Sequence, residues 1–379
     1  MKKIMKSFSV RKLRLAIACL CSLILFSILA LISSSIISKQ DTQQAAMRWS
    51  DEGDASQISC FFSVNAYVTE ERLDEFSHMV DIALQEASVE IESENPDARL
   101  WADAYSANGT ISIKGSIGSI TSDAIGIGGD FFLFHPVQLV SGSYFSGNGL
   151  MQDYCILDEL AAWKLFGSND IAGQVVEIGG VSHIVTGVVK HDTGKMQEAA
   201  GLEDMLVYVS YDSLQKYGMN NGINHYEIVM PNPVKEFAFN YVKDNIGISE
   251  KEVEIVENSN RYSIWSRIKQ IGKLPTRSMN GKAIIYPYWE NVARANEDIL
   301  AFIMLGELIF GGFPAIVVMI LLIGLWKRKT WTVKKVVVKC MDKVSSLWYN
   351  ILAKIHSKWK SRKKGKKHEW TDIKEYEEE

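Results

Sequence analysis

Leu15 to Ile37 reads LAIACLCSLILFSILALISSSII, 23 residues without a charge. A helix of that length crosses ~30 Å of hydrocarbon at ~1.5 Å per residue, so the chain is expected to enter a membrane near its start. The apolar core of a cleaved signal peptide is only ~7–15 residues long and is followed by a small-residue cleavage site. Here the run is longer and no clear A-x-A follows it, so an uncleaved anchor is expected. Cys19 after Ala18 is a weak lipoprotein signal, because the apolar run continues well past it. A second apolar run extends from Ile299 to Trp326 and meets Lys327-Arg328-Lys329 directly.

Charge divides the chain along the same boundaries. The net value of -4 conceals a start, residues 1–37, with six Lys/Arg and no acid. Residues 38–298 carry 37 Asp/Glu against 19 Lys/Arg, and residues 327–379 carry 16 Lys/Arg against 7 Asp/Glu. Basic residues precede the first run and follow the second. The positive-inside rule then places both termini in the cytoplasm and the acidic segment outside. The expected divisions are a basic N-terminus 1–14, a span 15–37, an external domain 38–298, a span 299–326 and a cytoplasmic tail 327–379.

Glu307 is the single ionisable residue within the second run. An unpaired charge there costs at least ~2.5 kcal/mol, which makes it an intramembrane candidate for function. The alternative is a carboxyl in the outer leaflet that snorkels or stays protonated. Gly311-Gly312-Phe313-Pro314 allows a kink or a close helix contact.

The external segment has the patterning of a folded domain. Ile58 to Val64 is a β-rich run, and Thr69 opens a helix through Ala87 with Leu73, Phe76, Met79, Val80 and Leu84 on one face. Leu206–Ser210 reads as a strand before a helix from Tyr211. Tyr226–Met230 is a strand, Pro233 opens a helix to about Lys243, and a strand follows at Val253–Val256. This alternation predicts a membrane-anchored α+β chain whose external part is an α/β layer domain. Residues 100–189, with short strands and Gly/Ser turns, are expected to form an inserted β-rich subdomain.

Five glycines crowd into 21 residues: Gly167, Gly173, Gly179, Gly180 and Gly187. A phosphate-binding loop would need G-x-x-x-x-G-K-[ST], and a dinucleotide loop G-x-G-x-x-G, each between a strand and a helix. Neither is present. The glycines instead fit a helix from Asp158, its cap, to Phe166, ended by Gly167, then a turn to Gly173. A strand Gln174–Ile178, a hairpin turn at Gly179-Gly180 and a returning strand Val181–Val189, bulged at Gly187, complete the unit.

The same stretch, from LVSGSYF through YCILDELAAWKLFGSNDIAGQVVEIGGVSHIVTGVV, resembles the MacB-like extracytoplasmic core domain of MacB/FtsX-type ABC transporter permeases. Leu139, Gly142, Phe145, Ala161, Leu165, Phe166, Gly167, Asp170, Ile171 and Gly173 match, followed by Ile178, Gly180, Val185, Gly187 and Val188. The resemblance implies a non-catalytic membrane subunit of the bacterial cell membrane that works with an ABC ATPase and full-length permease subunits. It passes motion between that ATPase and an external substrate or partner. Complete members have one span before the domain and three after it. This chain has one after, then a polar tail, and no ATPase motif. A stand-alone cell-surface receptor or scaffold built on the same domain is the alternative.

The tail has its own logic. Val333, Val337, Met341, Val344, Trp348, Ile351, Ile355 and Trp359 recur at helical spacing, with lysines such as Lys354 and Lys358 mostly between them. An amphipathic helix on anionic inner-leaflet lipid is expected, with a protein partner as the second reading and no nucleic acid.

Signals for catalysis or cofactors are lacking. His78, His135, His183, His191 and His225 are scattered, with no H-E-x-x-H, G-x-S-x-G or C-x-x-C, so no catalytic residue, metal or cofactor is expected. Of five cysteines, only Cys60 and Cys155 fall in the external segment; they form a disulfide or stand as two buried thiols.

Overall fold

The computed structural model describes residues 2–50, 53–89, 98–202, 205–276 and 282–327, with positions 341–343, 345, 346 and 348. The chain divides into two compact units, Met1–Gly311 and Gly312–Glu379.

In the first unit, helix α1 (Lys2–Ile37) leads through α2 (Ala45–Trp49), strand β1 (Ala55–Phe62) and α3 (Glu70–Glu86) to β2 (Ala102–Lys114) and β3 (Ser119–Gly129). Then come α4 (Phe131–Phe134), β4 (Leu139–Gly142), β5 (Tyr154–Asp158), α5 (Glu159–Phe166), β6 (Val175–Ile178), β7 (Val181–Val189) and α6 (Lys195–Ala199). β8 (Leu206–Ser210), α7 (Tyr211–Tyr217), β9 (Met219–Asn220), β10 (His225–Pro231), α8 (Phe237–Asn245), β11 (Val253–Glu257) and α9 (Ile264–Lys273) precede the last long helix, α10 (Tyr288–Lys327).

Among the described residues, all eleven strands share one sheet, in the order β11-β1-β10-β2-β3-β8-β5-β7-β4, with β6 on β2 and β7 and β9 on β2. β3 with β8 and β5 with β7 are parallel pairs; the others are antiparallel. The segment 100–189, expected to stand apart as a subdomain, is hydrogen-bonded into this common sheet. The 13-residue β2 is the reason, since it pairs with β10 at one end and β6 at the other.

Apolar residues cover both faces, as a central sheet buried on both sides requires. One face packs Phe62, Phe76, Leu84, Ile111, Leu165 and Leu214 under α3, α5, α7 and α8. The other packs Ala45, Ile127, Phe131, Phe134, Tyr208 and Trp289, where α2, α4 and the root of α10 sit.

Local sequence accounts for most elements. The Asp158 side chain accepts from the Ala161 N–H at 2.7 Å, capping α5, and Gly167 ends it in a left-handed conformation at φ 68°. Gly179 and Gly180 both have positive φ (60° and 83°), as a two-residue hairpin turn needs. α8 starts at Phe237, later than Pro233 suggests, because Glu236 adopts a left-handed φ of 65° immediately before it. α10 starts at Tyr288, eleven residues before the expected span. Its first turns are polar, so hydropathy does not reveal them, and they are held by ionic contacts.

Candidate functional site at the root of the second apolar helix

Among the described residues, two helices are long and apolar enough to cross a membrane, Val10–Ile37 and Tyr288–Lys327. Between them stands the sheet, and three polar clusters occupy the junction.

The first joins the sheet's edge loop to α10. Arg261 follows β11 and is 6% exposed; its Nη1 and Nη2 donate to Glu290 at 2.7 and 2.8 Å, and its Nε donates to Glu297 at 2.6 Å. Glu290 and Glu297 lie seven residues apart, on one face of α10. Burial opposes the guanidinium charge, but the two carboxylates outweigh it and hold Arg261 firmly protonated. Removing one partner of such a buried pair costs ~3–5 kcal/mol, because the other charge is left uncompensated.

The second contains Glu307. Ser33 Oγ on α1 donates to Glu307 Oε1 at 2.7 Å, and Arg267 Nη1 on α9 stands 3.5 Å from Oε2. Glu307 is therefore partnered, 8% exposed, at the place where α1, α9 and α10 meet. The helices approach closely there. A Cβ on Gly306 would stand 2.8 Å from Leu29 Cδ1, and one on Gly311 would stand 3.0 Å from Phe26 Cδ2. Of the two roles open to Gly311, the close contact is the one seen.

The third cluster was not visible in the linear sequence. His135, directly after α4, and His225 and Glu227, on β10, bring their ligand atoms within 4.8 Å of one another. All three are buried, at 4%, 1% and 2% exposure. His135 Nε2 is 2.7 Å from Glu227 Oε2, and His225 Nε2 is 3.6 Å from Glu227 Oε1. Gln57 Nε2 donates to Glu227 Oε1 at 3.3 Å, and Ser59 Oγ donates to the same oxygen. Burial pushes the His135 imidazole below its ordinary value. Burial also opposes ionisation of Glu227, but the two imidazoles prevail and hold it below the usual carboxylate range. Trp289, in the first turn of α10, lies 4.4 Å from the His135 ring and 5.6 Å from that of His225. The expectation that the histidines stay scattered is thus corrected for His135 and His225, whose rings meet in the fold. His225 and Glu227 alternate with Tyr226, and period two in a strand puts them on one face. That spacing was legible; the arrival of His135 from ninety residues away was not.

A cavity of about 630 Å³ opens beside this cluster, bordered by His135, Asp158, His191, Tyr208, Tyr288 and Trp289.

The other expected sites fall as follows. Leu165 is buried in the core, with Phe166 packed against it. Gly142 (φ 78°) and Gly173 (φ 86°) take left-handed turns. Gly187 lies against β4, where a Cβ would stand 2.9 Å from the Ser143 carbonyl; the β5–β7 pairing skips Thr186, so the bulge falls one residue before Gly187. Cys60 and Cys155 are free and buried, the second of the two alternatives left open. Five strand spacings of ~4.8 Å separate β1 from β5, ~24 Å in all, while a disulfide needs Cα atoms within ~7 Å.

In the second unit, Met341, Trp348 and their described neighbours are helical, and both side chains are exposed. Trp359, Lys354 and Lys358 lie outside the described residues.

A mixed α/β domain joined to two membrane-capable helices through a buried ionic root defines a membrane component with an external domain. The family model for the MacB-like periplasmic core domain matches residues 16–239, and the chain belongs to that family, found in ABC transporter permeases. The structure is similar to the periplasmic region of MacB from Actinobacillus actinomycetemcomitans, with 15% identity over 62% of this chain and 97% of that one and a TM-score of 0.36. It is also similar to the extracellular domain of the noncanonic ABC-type transporter YknZ from Gram-positive bacteria, with 17% identity, 53% and 99% coverage and a TM-score of 0.35. Membership rests on the sequence family, and no curated protein matches the chain.

Proposed function

We propose that this chain is a non-catalytic subunit of a MacB/FtsX-type transporter, passing movement between a cytoplasmic ATPase and an external substrate or partner. The observation that carries the reading is α10. One helix begins under the sheet at Tyr288, locked there by Arg261, and runs on through the apolar segment to Lys327. A tilt of its membrane part then displaces the sheet, because the ionic root resists bending at the joint.

In this reading residues 1–14 and 327–379 are cytoplasmic, 15–37 and 299–326 span the membrane, and 38–298 are external. The strands of 100–189, which include β5, β7 and β4 at the end of the sheet opposite β11, form the lobe that meets the partner. The tail, through Trp348, Trp359, Lys354 and Lys358, rests on anionic inner-leaflet lipid. The α9 helix lies on the outer leaflet. Ile264 and Trp265 are exposed at 59% and 76%, while Arg267 on the same short helix reaches Ser33 and Glu307, within the outer parts of the two spans. An amphipathic helix tethered at that level has hydrocarbon beside its apolar face.

Affinity purification of the tagged chain in mild detergent, with identification of co-purifying chains, tests the assignment. An ABC ATPase and a four-span permease in stoichiometric amounts are expected. Recovery of the chain alone, or with an external protein only, supports the receptor or scaffold reading instead.

A further inference from the structure

We infer that His135, His225 and Glu227 form a binding site for one divalent transition-metal ion, with Zn²⁺ the best fit, at the joint between the sheet and α10. The inference stands apart from the transporter reading and uses different residues.

Two imidazoles and one carboxylate are a donor set for zinc and its first-row neighbours. Bonds of ~2.0–2.2 Å in a tetrahedral arrangement put ligand atoms ~3.3 Å apart. His135 Nε2 stands 2.7 Å from Glu227 Oε2 and His225 Nε2 stands 3.6 Å from Oε1, and one ligand atom from each of the three residues lies within 4.8 Å of the other two. Side-chain adjustment of the three ligands would bring them to that spacing around one ion.

The polar atoms themselves point to a missing occupant. His135 Nε2, His225 Nε2 and Glu227 Oε2 are buried and make no hydrogen bond among the described residues. His135 and Glu227 are close, yet their approach lacks the alignment of a hydrogen bond. A buried polar atom without a hydrogen bond is costly, and one cation among these three atoms would satisfy them together.

Two of the three ligands have the surroundings that metal ligands require, while His135 Nδ1 has no hydrogen-bond partner among the described residues. A ligating histidine engages its other ring nitrogen, which fixes the tautomer. His225 Nδ1 faces Ser106 Oγ at 3.4 Å, leaving Nε2 to the cluster. Gln57 and Ser59 hold Glu227 Oε1, leaving Oε2 to the cluster. The adjoining cavity reaches His135 and provides a path of entry. Trp289 covers both rings, so an ion here pins the loop after α4 to β10 directly beneath the first turn of α10.

The test uses the full chain in detergent, stripped by a chelator and titrated with Co²⁺ as a spectroscopic probe and then with Zn²⁺. One Co²⁺ per chain is expected, with a ligand-field spectrum of nitrogen and oxygen donors that Zn²⁺ abolishes. Ser59→Ala should weaken Zn²⁺ binding ~10–100-fold, the range for losing a hydrogen bond to a ligating group. His135→Asn and Glu227→Gln should weaken it further, and His191→Asn should leave it unchanged. The wild-type titration decides the matter even if a variant fails to fold. No saturable Co²⁺ uptake by the folded wild-type chain would mean a direct imidazole–carboxylate pair and would overturn the site. So would uptake retained in both His135→Asn and Glu227→Gln, or lost in His191→Asn.

Discussion

Glu290, in the first turn of α10, receives both Nη atoms of Arg261 at 2.7 and 2.8 Å, while the same guanidinium reaches Glu297 through Nε at 2.6 Å. Three charges are buried together at the point where an external sheet becomes a membrane helix. Arg261→Met leaves two uncompensated carboxylates there and is expected to destabilise the chain by ~3–5 kcal/mol in denaturant unfolding. Adding Glu290→Leu and Glu297→Leu should restore most of the loss, since an apolar replacement of similar volume relieves the stranded charges. Unfolding of the single variant at the wild-type midpoint would show that the joint does not hold α10.

The glycines of the β6–β7 unit are expected to fail for different reasons. Gly180 has φ 83° with open space around its Cα, so only backbone strain opposes a side chain. Gly180→Val should cost ~1–3 kcal/mol, and Gly180→Asn much less, because asparagine tolerates the left-handed region. Gly187 has no positive φ, but a Cβ there would stand 2.9 and 3.0 Å from the Ser143 and Ser141 carbonyl oxygens. Even Gly187→Ala should therefore destabilise by pushing β4 away. Thermal unfolding of the three variants checks the order; equal losses for Val and Asn at 180 would contradict the turn geometry.

These contrasts show what a linear reading reaches. The cap at Asp158, the stop at Gly167 and the hairpin at Gly179-Gly180 are local chemistry, and they were legible residue by residue. So were the two apolar runs. The sheet's unity was not, because the pairing of β2 with β10 joins residues more than a hundred positions apart. The site was hidden for the same reason. Arg261 meets Glu290, Ser33 meets Glu307 and His135 meets Glu227 only after the sheet and helices have assembled. The early start of α10 escaped notice because its first turns are amphipathic and ion-paired.

Asp103 makes stability depend on pH. Burial pushes its carboxyl up to about 6, against hydrogen bonds from Ser77 Oγ at 3.1 Å and Tyr226 OH at 3.2 Å that pull it down. The folded state thus favours the protonated acid. Its contribution is most favourable below the ordinary value of 3.8 and declines as pH rises from there to about 6. Asp103→Asn should stabilise the chain above pH ~7, by ~3 kcal/mol at most, and bring little gain below pH ~4. Equal effects at both ends of that range would show that Asp103 carries no such burden.

Each leaflet has a helix to test. A nitroxide at Trp265→Cys, on α9, should be more accessible to dissolved oxygen than to a polar nickel reagent when the full chain is in bilayers. The reverse ratio would put α9 in water. A peptide of residues 330–367 should turn helical on anionic vesicles and bind neutral ones far more weakly, with salt loosening it, as ~1 kcal/mol per lysine near the surface implies. Helix formation indifferent to salt would contradict the role assigned to Lys354 and Lys358.

The transporter reading rests on the sheet lying outside and the tail inside, and two thiols can decide it. Trp163 on α5 is 63% exposed, so Trp163→Cys offers an external probe, while native Cys340 marks the tail. Cys60 and Cys155 are buried and stay silent. Intact cells treated with a membrane-impermeant maleimide should label position 163 at once and Cys340 only after permeabilisation. Labelling of Cys340 in intact cells, or protection of position 163, would contradict the account.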